Sequence, residues 1–272
     1  MTTKASETFI TVGRLFFAVA LIAWGIQHLV SGEFVTRVVP SWPGWMPARK
    51  FWAYLVGAIL IAAGVAIILR IKARFAAVTF GVMAFLSFVL LHLPLAARDI
   101  LLGGKWTGAR KALVMCGGAM CIAVSLAAEE RDAPSRLLAS ARVRDGVVIF
   151  GRLCLGGFLI LGGIQHFIFV AFVVSLVPKW IPGAVFWAYF AGIALIAGGI
   201  GIIVPQVTRL AALLSGAMIL SWVFLVHIPR ALSDLHNPGE MAAVFEALAF
   251  SGVAFLLAGL VARRQKALTS RK

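Results

Sequence analysis

The chain has 272 residues, of which 62% are hydrophobic and 13% are charged, and its formal net charge is +15. A soluble domain carries roughly 25% charged residues, so this composition excludes an ordinary water-soluble fold. The Lys and Arg residues lie between apolar runs and are not interleaved with aromatic residues along a polar face. That distribution argues against a nucleic-acid partner.

The apolar runs are long enough to cross a bilayer, which takes about 20 mostly apolar residues in a helix. Residues 51–69 and 75–91, for example, contain no charged side chain. Backbone in hydrocarbon must satisfy its own hydrogen bonds, so these runs are predicted to be helices. The sequence predicts an all-α, polytopic membrane protein whose eight transmembrane helices span residues 13–31, 51–69, 75–95, 110–128, 151–169, 185–204, 210–229 and 242–262.

The first four predicted helices recur as the second four. The shift is 138 residues through Trp42, and a loop shortened by three residues then changes it to 135. The matching motifs are Gly25-Ile26-Gln27-His28 with Gly163-Ile164-Gln165-His166, Val39-Pro40-x-Trp42 with Val177-Pro178-x-Trp180, Phe51-Trp52-Ala53-Tyr54 with Phe186-Trp187-Ala188-Tyr189, and His92-x-Pro94 with His227-x-Pro229. We therefore predict two repeats, residues 1–140 and 141–272. Each holds an even number of helices, so the repeats are parallel and form a pseudo-dimer within one chain.

The distribution of positive charge predicts the orientation. Sixteen Lys and Arg residues lie on the side of the two termini and nine on the opposite side, the nine including Arg110 and Lys111. Because positive loops stay inside, both termini are expected in the cytoplasm of a bacterium, with the chain spanning the inner membrane many times. All five histidines then lie on the outward side.

That side carries the candidate ligand pocket. Polar groups in membrane helices are costly and are functional candidates, and each repeat supplies a similar set. The candidates are Gln27, His28, Trp52, Tyr54 and His92, with Gln165, His166, Trp187, Tyr189 and His227 in the second repeat. Two structural alternatives stand beside this hypothesis: the Gln and His side chains bond to neighbouring helices, and the Trp and Tyr residues form an aromatic belt at the interface.

Three ligands suit such side chains. Imidazole and phenol at the head-group level can exchange protons with a lipid-borne quinone. A bis-histidine haem b, held by His28 with His92 and by His166 with His227, is less favoured because these histidines lie near helix ends. A copper or zinc site from His28, His92 and Asp99 is the weakest alternative, so no metal is predicted.

Further residues carry structural predictions. Pro94 and Pro229 are expected to end the third helix of each repeat. Arg230 is expected to pair with Asp234, and Arg98 with Asp99. Small residues are expected to let helices pack closely, namely Gly25, Gly57 and Gly64 with Gly163, Gly192 and Gly199. The carboxylate nearest to a helix centre is Glu246, in the first turns of the eighth helix, which argues against a transporter.

The pattern G-x-Q-H, V-P-x-W and F-W-A-Y-x-x-G with a downstream R-x-A-A resembles the DoxX-like membrane proteins, one four-helix unit per repeat. The resemblance implies a redox-associated, quinone-linked role as a membrane subunit beside a redox partner. This chain departs from the family in being a fused double copy, and no cysteine pair supports thiol chemistry. Two alternatives remain: a small-molecule transporter, and a membrane scaffold or assembly factor that contacts lipids but has no chemistry of its own.

Overall fold

A computed structural model describes residues 3–35, 47–99, 103–127 and 140–269. Within these ranges all regular elements are helices, and eight of them are long and apolar enough to cross a membrane. The prediction of an all-α polytopic membrane protein is therefore confirmed. The first-repeat motif at residues 39–42 and most of the boundary between the two predicted repeats lie outside the described residues.

The eight helices are α1 Thr3–Ser31, α2 Arg49–Leu69, α3 Ala73–Ala96, α4 Gly104–Ala127, α5 Ala141–Ile168, α6 Ala184–Ile203, α7 Thr208–Ser233 and α8 Pro238–Thr269. Several begin earlier than predicted, because charged residues at their starts resemble loop residues in the sequence. A helix satisfies its own backbone hydrogen bonds in lipid and in water alike, so α1, α4 and α5 extend beyond their apolar spans.

Pro229 does not end its helix, so that prediction is wrong there: α7 runs four residues further, to Ser233, whereas α3 ends at Ala96, two residues after Pro94. A π-helical turn, Phe88–His92 in α3 and Val223–His227 in α7, precedes each proline. Helix then continues through Leu93–Ala96 and Ile228–Ser233. Proline lacks an N–H and crowds the carbonyl four residues before it. A wider turn accommodates this without breaking the helix, and such turns are frequent at functional sites.

The helices form a closed ring in which each repeat packs against the other. Helix α1 packs most extensively on α8 and α2, while α5 packs on α6 and α4. The pairs α2–α3, α3–α4, α6–α7 and α7–α8 complete the ring, and α4 also contacts α8. Most residues of α4 and α8 are buried. The first helix of each repeat therefore lies against the fourth helix of the other.

Glycines create these contacts at equivalent positions in both repeats. A Cβ on Gly25 would lie 2.6 Å from the carbonyl oxygen of Gly57, and one on Gly163 would lie 2.6 Å from that of Gly192. Between the repeats, a Cβ on Gly13 would lie 2.5 Å from the Gly252 carbonyl oxygen, and one on Gly117 would lie 3.1 Å from the Gly151 Cα. The predicted close packing at glycine is confirmed, since these helix backbones approach each other more closely than a side chain ordinarily allows.

Candidate functional site

The predicted site residues lie at the end of the bundle where α1 ends and α8 begins, which we call the histidine end. His28 is in the last turn of α1, and His166 is in the last turn of α5. His92 and His227 are the final residues of the two π-helical turns. The two repeats differ in what surrounds each histidine.

His28 is completely buried. Its Nδ1 lies 2.7 Å from the Trp24 carbonyl oxygen, and its Nε2 lies 3.4 Å from the Val35 backbone nitrogen. The Val35 N–H can only donate, so Nε2 accepts and Nδ1 carries the proton. Phe34 meets the ring edge-on, with ring centroids 5.7 Å apart. Both ring nitrogens make hydrogen bonds, so His28 links the segment at Phe34 and Val35 to the last turn of α1.

His166 occupies the equivalent position but is only partly buried. Its Nδ1 lies 2.8 Å from the Gly162 carbonyl oxygen, which leaves Nε2 as the acceptor of the neutral ring. Phe172, the counterpart of Phe34, is 64% exposed and does not cover the ring. The His166 imidazole of the second repeat is therefore partly exposed, whereas the His28 imidazole of the first repeat is fully buried.

One residue in the following turn explains this difference. Gly32 has a φ of +62°, a conformation that glycine adopts easily and β-branched residues avoid. It lets the chain turn back so that Phe34 and Val35 cover His28. At the equivalent position stands Val170, where the chain instead runs on as a short helix, Val170–Leu176.

The four predicted aromatic residues lie at the surface, between 38% and 45% exposed. Trp187 donates its indole N–H to the Pro182 carbonyl oxygen at 3.1 Å and packs against Phe186 and Phe190. The Tyr189 ring lies 5.6 Å from that of Phe167. In the first repeat, Trp52 packs on Phe51, and the Tyr54 hydroxyl lies beside Gly32. These positions suit interfacial anchors as well as a lipid-accessible ligand.

The two glutamines connect the repeats rather than facing their own repeat. Gln165 on α5 donates from Nε2 to the Thr107 hydroxyl of α4 at 2.9 Å. Gln27 on α1 donates to the Pro238 carbonyl oxygen of α8 at 3.4 Å. Each glutamine thus bonds at the junction between a first helix and the other repeat's fourth helix.

We expect Gln165→Leu to lower the free energy of unfolding by about 0.6–1.5 kcal/mol, because it removes a well-formed interhelical hydrogen bond. Unfolding of the purified protein by increasing SDS measures this. Gln27→Leu is the matched control, with a smaller loss because its bond is longer. Equal losses of unfolding free energy in the two variants would contradict a stronger hydrogen bond at Gln165 than at Gln27.

The structure does not gather the predicted pocket around one point. His28 packs on Gly57 of α2, whereas His92 is buried against Gly108 of α4. Asp99 accepts the backbone N–H of Lys105 at 3.3 Å. Over the part of the chain that the structure describes, no group of three or more His, Cys, Asp or Glu side chains is placed to hold a metal ion.

The mostly buried ion pair of Lys111 and Glu246 was not predicted from the sequence. Lys111 on α4 lies with its Nζ 2.7 Å from Glu246 Oε1 on α8, and the two side chains are 18% and 12% exposed. They are equivalent positions of the two repeats, since a shift of 135 residues relates them. The 135-residue shift could have revealed the pair from the sequence, because it aligns a lysine with a glutamate inside a duplicated membrane helix.

A cavity of about 60 Å³ lies beside this pair. Its walls are mainly apolar, from Trp24 and Leu60 on α1 and α2, Phe80 and Met83 on α3, and Met115 and Phe250 on α4 and α8. Ser87 adds a hydroxyl. The ion pair therefore faces a small, mostly hydrophobic space between the helices of the first repeat and the last helix of the second.

A second ion pair corrects a prediction. Arg230 does not pair with Asp234; its Nη2 lies 2.5 Å from Glu240 Oε1 and its Nε lies 3.1 Å from Glu240 Oε2. Because α7 continues past Pro229, Arg230 is a helical residue and reaches α8. This bidentate pair joins the two helices at the histidine end.

Comparison with known proteins gives one match. The family model described as a domain of unknown function, DUF8561, matches residues 155–259, which lie within the second repeat and run from α5 into α8. No curated protein and no solved structure matches the chain.

Proposed function

We propose that this chain is a redox-associated, quinone-linked membrane subunit whose second repeat offers His166 to the head group of a quinone in the lipid. The partly exposed imidazole of His166 carries the proposal, together with its neighbour in sequence Phe167, whose ring packs on that of Tyr189. The resemblance to DoxX-like membrane proteins supports it. The excess of Lys and Arg on the side of the termini supports an orientation with both termini in the cytoplasm of a bacterium.

The chemistry follows from the proton on His166. With Nδ1–H donated to the Gly162 carbonyl, Nε2 accepts a hydrogen bond from a quinol hydroxyl and receives its proton on oxidation. The exposed rings of Phe167, Trp187 and Tyr189 provide flat contacts for the head group. The quinol's two electrons pass to a redox partner subunit and its second proton passes to water at the membrane interface, so this chain is an accessory component.

Extraction of lipids from protein purified out of native membranes tests the proposal. We expect wild-type protein to carry quinone, and His166→Ala to lose most of it because the hydrogen-bonding group is gone. His236→Ala is the matched control, an exposed histidine at the same end of the bundle. Quinone retained by His166→Ala, or absent from wild-type protein, would refute the quinone site. A haem absorption band in the purified protein would instead support haem b as the ligand.

Transport of a small molecule is the second candidate, and the pair of Lys111 and Glu246 favours it. Ionisable side chains within membrane helices mark substrate or ion pathways, and parallel repeats are an architecture of transporters. Flux of small solutes into proteoliposomes is the test. Flux that Lys111→Gln with Glu246→Gln abolishes would support transport, whereas equal leakage with and without protein would exclude it and favour the scaffold alternative.

A further inference from the structure

The Lys111–Glu246 pair lies well inside the helices. At 1.5 Å per residue, it is about 10–12 Å from the first residues of α4 and α8. In the first repeat the position holds a cation and in the second an anion, so the contact of α4 with α8 is electrically neutral. Two identical repeats would place two like charges here.

Neutrality restricts what the adjoining cavity can accept. An ion entering alone would leave a net charge in a poorly solvated space, which is costly. An anion entering together with a proton leaves the site neutral. Glu246 can take the proton, and Lys111 can then pair with the incoming anion in place of Glu246.

The charges that line the cavity favour an anion over a cation. A carboxylate takes up a proton far more readily than an ammonium loses one, so with a proton present the charge that faces the cavity is the Lys111 ammonium. Arg110, beside Lys111 in sequence, is buried, and it donates to the Thr107 hydroxyl, which also bonds to Gln165 of α5. Glu240, the other carboxylate of α8 on this side, is engaged by Arg230. The other titratable side chains of the described helices at this end are His28 on α1, Arg49, Lys50 and Tyr54 on α2, His92 on α3, Lys105 on α4, His166 on α5, Tyr189 on α6 and His227 on α7.

The size of the cavity sets the size of the ligand. A cavity of roughly 150 Å³ accommodates benzene, so a cavity of about 60 Å³ holds a molecule of a few non-hydrogen atoms. That is smaller than a quinone head group. The apolar walls of Trp24, Phe80 and Met115 suit a short hydrocarbon end.

We infer that the cavity beside Lys111 and Glu246 is a binding site for a small monocarboxylic acid of about the size of acetic acid. The acid's O–H bond breaks, its proton goes to the Glu246 carboxylate, and its carboxylate pairs with the Lys111 ammonium. No net charge enters. This inference deepens the transport candidate by naming the class of solute, and it is independent of the quinone site at His166.

Equilibrium binding of radiolabelled acetate to the full chain in lipid nanodiscs tests the site, measured at about pH 5 and about pH 8. We expect saturable binding whose affinity for acetate rises about tenfold per pH unit of acidification, because one proton enters with each anion. Lys111→Gln should weaken binding at least about tenfold, since it removes a charge-assisted hydrogen bond.

Glu246→Gln gives the more specific result. Its amide resembles the protonated acid and leaves Lys111 ready for an anion, so acetate should bind at both pH values with little pH dependence. Lys105→Gln, which removes an exposed lysine of the same helix, is the matched control and should behave as wild type. Lys111→Gln with Glu246→Gln should fold and bind no acetate, which separates lost binding from lost folding.

Two results would overturn the inference: no saturable acetate binding by wild-type protein at either pH, or an unchanged pH dependence in Glu246→Gln. Acetate binding with the expected variant pattern supports the site even when proteoliposomes show no flux. In that case only the transport candidate fails.

Discussion

Glu246→Ala is expected to lower the free energy of unfolding by about 3–5 kcal/mol, because it leaves the Lys111 ammonium buried without its counter-ion. The two side chains are mostly buried and form a close pair at 2.7 Å, so water replaces little of the lost interaction. The change is measured by unfolding the purified protein with increasing SDS while its helix content is monitored.

The double variant Lys111→Met with Glu246→Leu is the control for this prediction. Removing both charges restores an apolar contact between α4 and α8, and such replacements are neutral or stabilising by about 1–4 kcal/mol. If Glu246→Ala were as stable as the double variant, the pair would not be a buried salt bridge.

Gly163→Ala is expected to be the second most damaging of the substitutions considered. Its Cβ would lie 2.6 Å from the Gly192 carbonyl oxygen and 3.0 Å from the Ile196 backbone nitrogen, so α5 and α6 must move apart. Overpacking of this kind costs about 1–3 kcal/mol. The thermal unfolding temperature of the detergent-solubilised protein should fall accordingly.

Gly157→Ala, on the same helix, is the matched control. A Cβ at Gly157 meets no atom within 4 Å, and alanine favours helix over glycine by about 0.5–1 kcal/mol. This variant should be at least as stable as wild type. A loss of stability in both variants would indicate a general intolerance of α5, not a close contact at Gly163.

The eight helices and the repeat were predictable because both depend on patterns local to the chain. Runs of apolar residues identify membrane helices at any position, and the constant shifts identify the duplication. The glycine contacts were predictable for the same reason. The ends of the helices were less predictable. Lys105 and Arg142 resemble loop residues in the sequence, yet they lie in the first turns of α4 and α5.

The candidate site depends on which helices are neighbours, and that information is not local. The prediction grouped each glutamine with the candidate side chains of its own repeat, whereas Gln27 and Gln165 bond to the opposite repeat. His28 and His166 belong to the same sequence motif, yet His28 is fully buried and His166 is partly exposed. This difference in burial comes from Gly32 and Val170, which lie after the motif. The quinone hypothesis for His166 stays a prediction.

The pairing of α1 with α8 has a consequence for biosynthesis. Membrane helices leave the ribosome in chain order, so the partner that covers the largest surface of α1 is the last of the eight to be made. Until then the Gly13 face of α1 is available to other membrane proteins or to quality-control proteases. Slowing or interrupting synthesis before residue 238 should therefore leave a species that is degraded, even though seven of its eight helices are complete.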